Sequence, residues 1–189
     1  MTTNRMEAFS DGVIAILITI MILELKIPHG SDSAALMTVA PHFVAYVLSF
    51  IILGIYWNNH HHMLHVTEKV TGAILWANLH LLFWLSLIPA TTAWLGENPT
   101  KAFPAATYGV VLVGAAISYT VLQNFIISAQ GRDAFLADAV GSDRKGKASI
   151  LLYASAVGLA FVHPFISQAI YAIVAFIWVI PDRRIEGRL

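Results

Sequence analysis

Residues 5–25 read RMEAFSDGVIAILITIMILEL, and this stretch sets the fold class. It is apolar over about the 20 residues that an α-helix needs to cross the roughly 30 Å hydrocarbon core of a bilayer. No small-residue cleavage site of the kind that ends a secretory signal follows it, so we predict a retained membrane-spanning helix. A carboxylate, Asp11, nevertheless lies inside it between Ser10 and Gly12.

The composition agrees with a membrane environment. Of the 189 residues, 58% are hydrophobic and 12% are charged, and the mean hydropathy is +0.71. A soluble domain carries about 25% charged residues, so we expect a lipid bilayer to be the solvent for the outer surface. The absence of cysteine excludes disulfides, thiolate metal sites and cysteine nucleophiles. The formal net charge of +0 offers no basic surplus for nucleic acid.

Six apolar segments predict an all-α, polytopic membrane protein with six transmembrane helices. We treat residues 1–189 as one six-helix transmembrane domain, because no separate soluble region interrupts the segments. Pro89 predicts a kink or an early end in the third helix. The last two helices are short and meet at Pro164. The predicted helices cover residues 7–25, 36–57, 70–95, 103–128, 148–163 and 165–180.

The basic residues of the loops orient this topology. Six spans put both termini on one side of the membrane, and that side receives nine Lys or Arg residues against two on the other. An excess of positive charge is typical of cytoplasmic loops, so we predict that both termini are cytoplasmic. The nine residues are Arg5, Lys69, Arg132, Arg144, Lys145, Lys147, Arg183, Arg184 and Arg188, and the two are Lys26 and Lys101.

The first helix has two unlike faces. At about 100° per residue, one mainly aliphatic stripe lies within roughly 60° of Ile16, whereas Ser10 and Asp11 lie more than about 100° away from it. The residues alone leave two interpretations open. Either the stripe faces lipid or core while the polar pair bonds to other helices, or the intramembrane carboxylate marks a functional site. The stripe consists of Phe9, Gly12, Ile16, Thr19, Ile20 and Leu23.

The start of this helix carries a recognisable motif. Arg5, Phe9, Ser10 and Asp11 form the pattern Arg-x-x-x-Phe-Ser-Asp, which resembles the signature of the TMEM175 potassium channel family. Three further features are similar to that family: the runs GVIAILIT and LELKIP that follow the motif, WNNHH at residues 57–61, and Asn78. The resemblance covers nearly the whole chain, and six helices fit one repeat of the family.

The resemblance implies a homotetramer in a prokaryotic cell membrane, with the first helix of each subunit lining a central pore for potassium ions. Ile16 then matches the family's narrowest hydrophobic ring, and Ile20 and Leu23 match further aliphatic layers. Thr19 matches a polar ring that bears on ion selection together with Ile16. We expect no enzymatic activity and no cofactor, since potassium is the permeant species rather than a bound group.

The resemblance also gives the motif residues a structural role. Ser10 and Asp11 would tie the first helix to its neighbours and set its orientation, with Arg5 and Phe9 completing the motif. The sequence offers three candidate partners without choosing among them, and these are Trp57, His61 and Asn78.

The chemistry of conduction must differ from that of ordinary potassium channels. The chain contains no Thr-Val-Gly-Tyr-Gly loop, so a carbonyl-lined filter is absent. A ring of Ile16 side chains would instead close the pore by excluding water, and Thr19 hydroxyls would replace some of the water that a passing ion sheds. No helix carries repeated arginine, which argues against a voltage sensor. We therefore expect leak-like conduction with a modest preference for potassium.

Two other functions remain open at this point. A secondary transporter would use Asp11 as its coupling-ion site, although the sequence shows neither an inverted repeat nor broken helices. A membrane metalloenzyme would use the cluster of His60, His61, His62 and His65, in which His61 and His65 are four residues apart and suit one helical face. The alternative interpretation of the cluster is a group of interfacial histidines with one ring bonded to the motif.

Overall fold

The computed structural model describes residues 2–65, 67–130 and 143–179. All regular structure within those ranges is helical, which agrees with the predicted all-α class. The helices there are α1 (Thr3–Leu23), α2 (Ser33–His65), α3 (Gly72–Ser86), α4 (Ile88–Glu97), α5 (Ala102–Gln130), α6 (Arg144–Leu159) and α7 (Pro164–Val179).

Helices α3 and α4 together make the third span, which is interrupted close to Pro89. α3 ends at Ser86 and α4 begins at Ile88, and Pro89 in the first turn of α4 lacks the N–H that would continue the hydrogen-bond ladder. The predicted break is confirmed. With α3 and α4 taken as one segment of 26 residues, α1, α2, α3–α4 and α5 are each long and apolar enough to cross a membrane.

The remaining two spans are short. α6 and α7 have 16 residues each, which gives a length of about 24 Å at 1.5 Å per residue. They are joined by a tight turn in which the His163 N–H donates to the Leu159 carbonyl at 2.9 Å. Counting α3–α4 as one span, the described helices fit the predicted six-helix membrane fold.

Two helix boundaries differ from the sequence prediction for identifiable reasons. α2 continues eight residues beyond the predicted end at Trp57 and finishes at His65, so the polar run after Trp57 is helical. α6 begins at Arg144 instead of residue 148, because the Asp143 side chain caps it by accepting a hydrogen bond from the Gly146 N–H at 3.1 Å. Most of the predicted loop at residues 129–147, and the basic residues at 183, 184 and 188, lie outside the described residues.

The helices pack around α5. This helix contacts α3, α4, α6 and α7, and its buried side chains run along its whole length from Pro104 to Ile126. α1 lies at one side of the bundle and contacts α2, α3 and α4. The position of α1 leaves a large part of its surface outside the core of the bundle.

Candidate functional site

α1 contacts the rest of the chain through one narrow face. Its buried residues recur at intervals of three or four positions, which places them on one side of a helix. The aliphatic stripe lies elsewhere, since Ile16 is 58% exposed and Leu23 is 78% exposed in the single chain. Thr19 and Ile20 are exposed beside them. The buried residues of α1 are Met6, Ser10, Ile14, Leu17 and Met21.

Ser10 belongs to a buried chain of hydrogen bonds that joins α1, α3 and α2. Its hydroxyl donates to the Met6 carbonyl at 2.8 Å, so it can only accept from the Asn78 amide, whose Nδ2 lies 2.9 Å away. The remaining amide oxygen of Asn78 lies 2.7 Å from His60 Nε2, which must therefore carry a proton. All three side chains are at least 98% buried. The chain fixes the position of Ser10 against two other helices.

Asp11 and Glu7 bond to α2 on the same side of α1. The Trp57 indole N–H donates to Asp11 Oδ1 at 3.0 Å, and His61 Nδ1 lies 2.7 Å from Glu7 Oε1. The partners are four residues apart on each helix, which is the spacing of neighbours along one helical face. Two antiparallel helices in this register cannot rotate independently. The contacts therefore set the direction in which the opposite side of α1 points.

The structure separates the motif residues that face the rest of the chain from those that are exposed, and the candidate partners that reach the motif from the one that does not. Ser10 and Asp11 face the subunit, whereas Arg5 and Phe9 are exposed. Asn78 reaches Ser10 and Trp57 reaches Asp11, but His61 reaches Glu7 and neither of those motif residues.

Sequence reasoning did not single out Glu7, and it named His60 only as a member of the histidine cluster, not as a partner of the motif. A signal for both exists in the spacing. Glu7, Ser10 and Asp11 are at positions i, i+3 and i+4 of α1, and residues 57, 60 and 61 repeat that spacing on α2. Two matching triplets on consecutive helices predict a shared face. The signal does not identify Asn78 as the bridge between Ser10 and His60.

The histidine cluster at the end of α2 does not converge on one point. His60 points into the core, while His61 stacks on Trp57 with ring centroids 6.3 Å apart and on His65 with centroids 6.2 Å apart. Over residues 2–65, 67–130 and 143–179, no group of three or more His, Asp or Glu side chains has the arrangement to hold a metal ion. The interpretation of the cluster as a metal centre gains no support from these residues.

His80 is exposed on α3, and both of its ring nitrogens have partners. The Trp84 indole donates to His80 Nε2 at 3.1 Å, and Ser118 Oγ lies 3.1 Å from His80 Nδ1. Because the Ser118 hydroxyl already donates to the Gly114 carbonyl at 2.7 Å, the His80 Nδ1–H must be the donor of the second bond. His80 therefore links α3 to α5.

The exposed face of α1 carries the Thr19 hydroxyl, whose oxygen can act as a hydrogen-bond acceptor or a cation ligand. The Thr19 hydroxyl donates its proton to the Ala15 carbonyl at 2.8 Å. Its oxygen can then present only lone pairs to the outside of the helix, which suits a cation and not an anion. Around it lie aliphatic side chains that repel water. The arrangement is capable of excluding bulk water while offering a weak cation ligand.

Comparison with known proteins points to one family. Residues 5–89 match the family described as endosomal/lysosomal potassium channel TMEM175. A potassium channel of Chryseobacterium sp. (strain P1-3) is 52% identical over 189 residues, which are 100% of this chain and 98% of that protein. A human protein named endosomal/lysosomal proton channel TMEM175 is 38% identical over 115 residues, 54% of this chain and 22% of its own length.

A solved structure extends the agreement to the fold. The crystal structure of a lysosomal potassium-selective channel TMEM175 homolog from Chamaesiphon minutus matches with a TM-score of 0.84 and 26% sequence identity. The match covers 95% of this chain and 97% of that one. Together with the relative of 52% identity over the full length, it shows that this chain is a multi-pass membrane protein and a cation channel, not an enzyme. The chain belongs to the TMEM175 family.

Proposed function

We propose that this chain forms a potassium-preferring, leak-like channel in the cell membrane, with four copies arranged so that α1 of each lines a central pore. Both termini are cytoplasmic in this arrangement, in keeping with the basic loops. Residues 1–189 act as one channel domain. The bacterial relative named a potassium channel, which matches this chain over its full length, supports the choice of ion.

The observation that carries the proposal is the free face of α1. Hydrogen bonds from Asn78 and Trp57 hold the opposite side of the helix, so the stripe containing Ile16 is directed away from the subunit core. A helix that serves only as a lipid-facing wall needs no such orientation, because any apolar face is equivalent in hydrocarbon. A pore needs one chosen face in every subunit.

Ile16 forms the constriction in this proposal, and Ile20 and Leu23 form further hydrophobic layers toward the outer end. Four aliphatic side chains around a narrow axis expel water and so close the path to ions. A small outward movement rewets the ring and lets a partly dehydrated cation pass. Potassium loses its hydration water at a lower cost than sodium, so a narrow path with few ligands favours potassium.

Thr19 supplies the ligands for that partly dehydrated ion. Its hydroxyl proton is engaged by Ala15, so its oxygen turns only lone pairs toward the pore. Four such oxygens replace a small part of a hydration shell. The preference for potassium is accordingly modest, since much of the remaining coordination comes from water.

One observation favours a second candidate, proton conduction. The human relative is named a proton channel and is 38% identical to this chain over 115 residues. A wetted pore with Thr19 oxygens and water conducts protons along hydrogen bonds. A transporter that uses Asp11 is less well supported, because the Asp11 carboxylate is bonded to Trp57 on the side of α1 away from the stripe.

The deciding experiment is planar-bilayer recording of the purified protein under opposed potassium and sodium gradients. We expect the open-pore current to have a reversal potential that is displaced from zero toward the potassium equilibrium potential. Ile16→Asn should increase the fraction of time that the channel conducts, because a polar ring stays wet. Thr19→Val should move the reversal potential toward zero. A separate pH gradient reports any proton current in the same membrane.

Ile22→Asn is the matched control for the ring. Ile22 is exposed on the same helix but lies about 120° around it from Ile16. We expect it to leave the closed fraction unchanged. Equal leak in Ile16→Asn and Ile22→Asn would remove Ile16 from the constriction, and an unmoved reversal potential in Thr19→Val would remove Thr19 from ion selection.

A further inference from the structure

A cavity of about 50 Å³ lies between four helices of the chain, apart from the exposed face of α1. Its wall takes residues from α2, α5, α6 and α7, and none of the described residues that line it belongs to α1. It lies where α6 begins and α7 ends, because Asp143 and Trp178 both line it. One water molecule needs about 10–15 Å³ of such space, so the cavity can hold a small organic group.

Four aromatic side chains, one from each of these helices, line the cavity. Tyr56 and Tyr119 meet edge to face, with ring centroids 6.1 Å apart and planes at 65°. Tyr153 and Trp178 complete the set. The faces of aromatic rings carry partial negative charge and attract cations, quaternary ammonium groups in particular. The Trp178 ring already attracts one cation, since the Lys145 ammonium nitrogen lies 4.5 Å from its centroid.

The charge of the cavity wall also favours a cation. Asp143 is the only Asp, Glu, Lys, Arg or His among the described residues of the wall. One of its carboxylate oxygens caps α6 by accepting from the Gly146 N–H at 3.1 Å, and neither ion pair of the described ranges includes it. A cation without N–H groups suits the remaining wall, because it needs no hydrogen-bond acceptors there. Much of that wall is aliphatic, from Ile52, Ile55, Ala116 and Ala175.

The surface beside the cavity has the opposite charge. Arg144 and Lys147 are exposed in the first turn of α6, on either side of Gly146, which lines the cavity. Positive charge in the first turn opposes the helix dipole, so these two residues do not serve the stability of α6. They repel a simple cation that approaches the cavity, whereas they attract an anionic group that is attached to it. The ligand that fits both charges is a zwitterion.

We propose that the cavity binds the choline end of a phosphocholine group, with the phosphate outside against Arg144 and Lys147. The trimethylammonium group combines the positive charge and the apolar surface that aromatic rings accept, and Asp143 compensates its charge. The Trp178 indole N–H donates to Ser149 Oγ at 2.8 Å, so that ring is held in place before the ligand binds. Phosphocholine groups occur on lipid headgroups and as a soluble molecule, and the experiment separates the two sources.

The test is equilibrium dialysis of isotope-labelled phosphocholine against the purified protein in maltoside micelles, which contain no choline. The matched ligand is neohexyl phosphate, in which a carbon atom replaces the charged nitrogen. We expect phosphocholine to bind about tenfold more tightly than this analogue, because the rings attract only the charged group. Inorganic phosphate should not displace it, since phosphate alone has no group that enters the cavity. The measurement does not involve conduction, so its outcome is independent of the proposed pore.

Asp143→Asn removes the charge and preserves the structure around it. Asparagine caps helices as well as aspartate does, and it tolerates the positive φ of 42° that residue 143 adopts. We expect phosphocholine binding to weaken about threefold or more. Asp32→Asn is the matched control, because Asp32 also accepts from a backbone N–H at a helix start, that of Ala35 at 2.8 Å, but does not line the cavity. It should leave binding unchanged.

A ring variant tests the aromatic wall. Tyr56→Leu keeps an apolar side chain but removes the ring, so phosphocholine binding should weaken about fivefold. Tyr56→Phe keeps the ring and should bind as the wild type does. Circular dichroism shows whether each variant is folded. Wild-type affinity in folded Asp143→Asn and Tyr56→Leu would overturn the site, and so would equal binding of neohexyl phosphate.

Lipid nanodiscs distinguish the two sources of the ligand. The dialysis is repeated in bilayers of phosphatidylglycerol, without and with added phosphatidylcholine. A fall in bound phosphocholine when phosphatidylcholine is present assigns the cavity to the lipid headgroup, whereas unchanged binding assigns it to the soluble molecule. Absence of phosphocholine binding to the folded wild type, in micelles and in phosphatidylglycerol nanodiscs alike, would reject the proposal.

Discussion

α1 and α5 look alike in the sequence and differ in the structure. Both are apolar helices long enough to cross a membrane, with 21 and 29 residues. α5 is surrounded by other helices and buries thirteen residues, whereas α1 buries five on one face. Hydropathy alone cannot distinguish them, because lipid and protein core are equally apolar. The difference lies in which face of each helix is held.

The balance of holding contacts differs between the two helices. α5 is joined to its neighbours by hydrogen bonds, such as that between His80 and Ser118, and also by a close fit of shape. Gly114 receives the Trp84 ring so closely that an added Cβ atom would lie 2.2 Å from it.

α1 is fixed by directional hydrogen bonds from Asn78 to Ser10 and from Trp57 to Asp11. Close packing in several directions leaves α5 only a narrow exposed stripe that includes Val110, Ile117 and Phe125. A few directional bonds orient α1 and leave most of its surface available. This is the arrangement that a pore-lining helix requires.

The most direct test of this comparison is the reactivity of single introduced cysteines. The chain contains no cysteine, so each introduced cysteine is its only thiol. Thr19→Cys and Ile18→Cys lie at the same depth of α1 on different faces. Thr19 is exposed, whereas Ile18 is half-buried against the core of the chain. We expect a charged, membrane-impermeant thiol reagent to modify Thr19→Cys about tenfold faster or more, because the reactive thiolate forms in water. Modification is followed by mass spectrometry and by block of the current.

Leu17→Cys is the control for a packed position, because Leu17 is 6% exposed, and it should not react. Equal rates of thiol modification at Thr19→Cys and Ile18→Cys would show that both faces of α1 are equally accessible to water. The comparison with α5 would then lose its functional meaning.

The next largest effect is expected from Asn78→Ala, which removes the bridge between α1, α3 and α2. His60 Nε2–H loses its acceptor and Ser10 loses its donor, and each buried polar group left unpaired costs about 1–3 kcal/mol. We expect a loss of about 2–4 kcal/mol in unfolding free energy on that basis. Unfolding in detergent micelles measures it.

Asn124→Ala is the matched control, since Asn124 is exposed on α5 and should change stability little. The triple variant Ser10→Ala, Asn78→Leu and His60→Leu removes all three polar groups and should recover part of the loss. In Asn78→Ala, the thiol reagent should also lose its preference for position 19 over position 18, because α1 is less firmly oriented. A stable Asn78→Ala variant with the preference intact would contradict this account of α1.

Much of the fold follows from the sequence, because spans are a local property. Lengths of about 20 apolar residues predict the number of spans, and Pro89 predicts the break between α3 and α4. The apolar run predicts an end of the second span at Trp57, whereas α2 continues to His65 because the polar side chains after Trp57 find partners in α1 and α3. Boundaries set by such tertiary bonds are not encoded in local hydropathy.

The candidate site was less accessible to sequence reasoning for the same reason. The two faces of α1 follow from a repeat of about 100° per residue. The identity of each bonding partner depends on how three helices rotate against one another. His61 and His60 are adjacent in sequence, yet one ring reaches Glu7 and the other reaches Asn78. Neighbouring residues on a helix differ in direction by about 100°, so a cluster of histidines in the sequence becomes separate contacts in space.

The smallest of the three effects should come from Gly114→Ala on the packed helix. The new Cβ atom meets the Trp84 ring, and overpacking of this kind costs about 1–3 kcal/mol of unfolding free energy. Gly54→Ala on α2 is the control, because no atom outside its own helical backbone lies within 4 Å of its added Cβ and alanine favours a helix. If shape alone holds α5, Gly114→Ala combined with Trp84→Leu should be more stable than Gly114→Ala, although Trp84→Leu also removes the bond to His80. Additive losses of unfolding free energy in the double variant would mean that the indole bond to His80, and not the fit of the ring against Gly114, joins α3 to α5. The contrast between a close-packed α5 and a hydrogen-bonded α1 would then be lost.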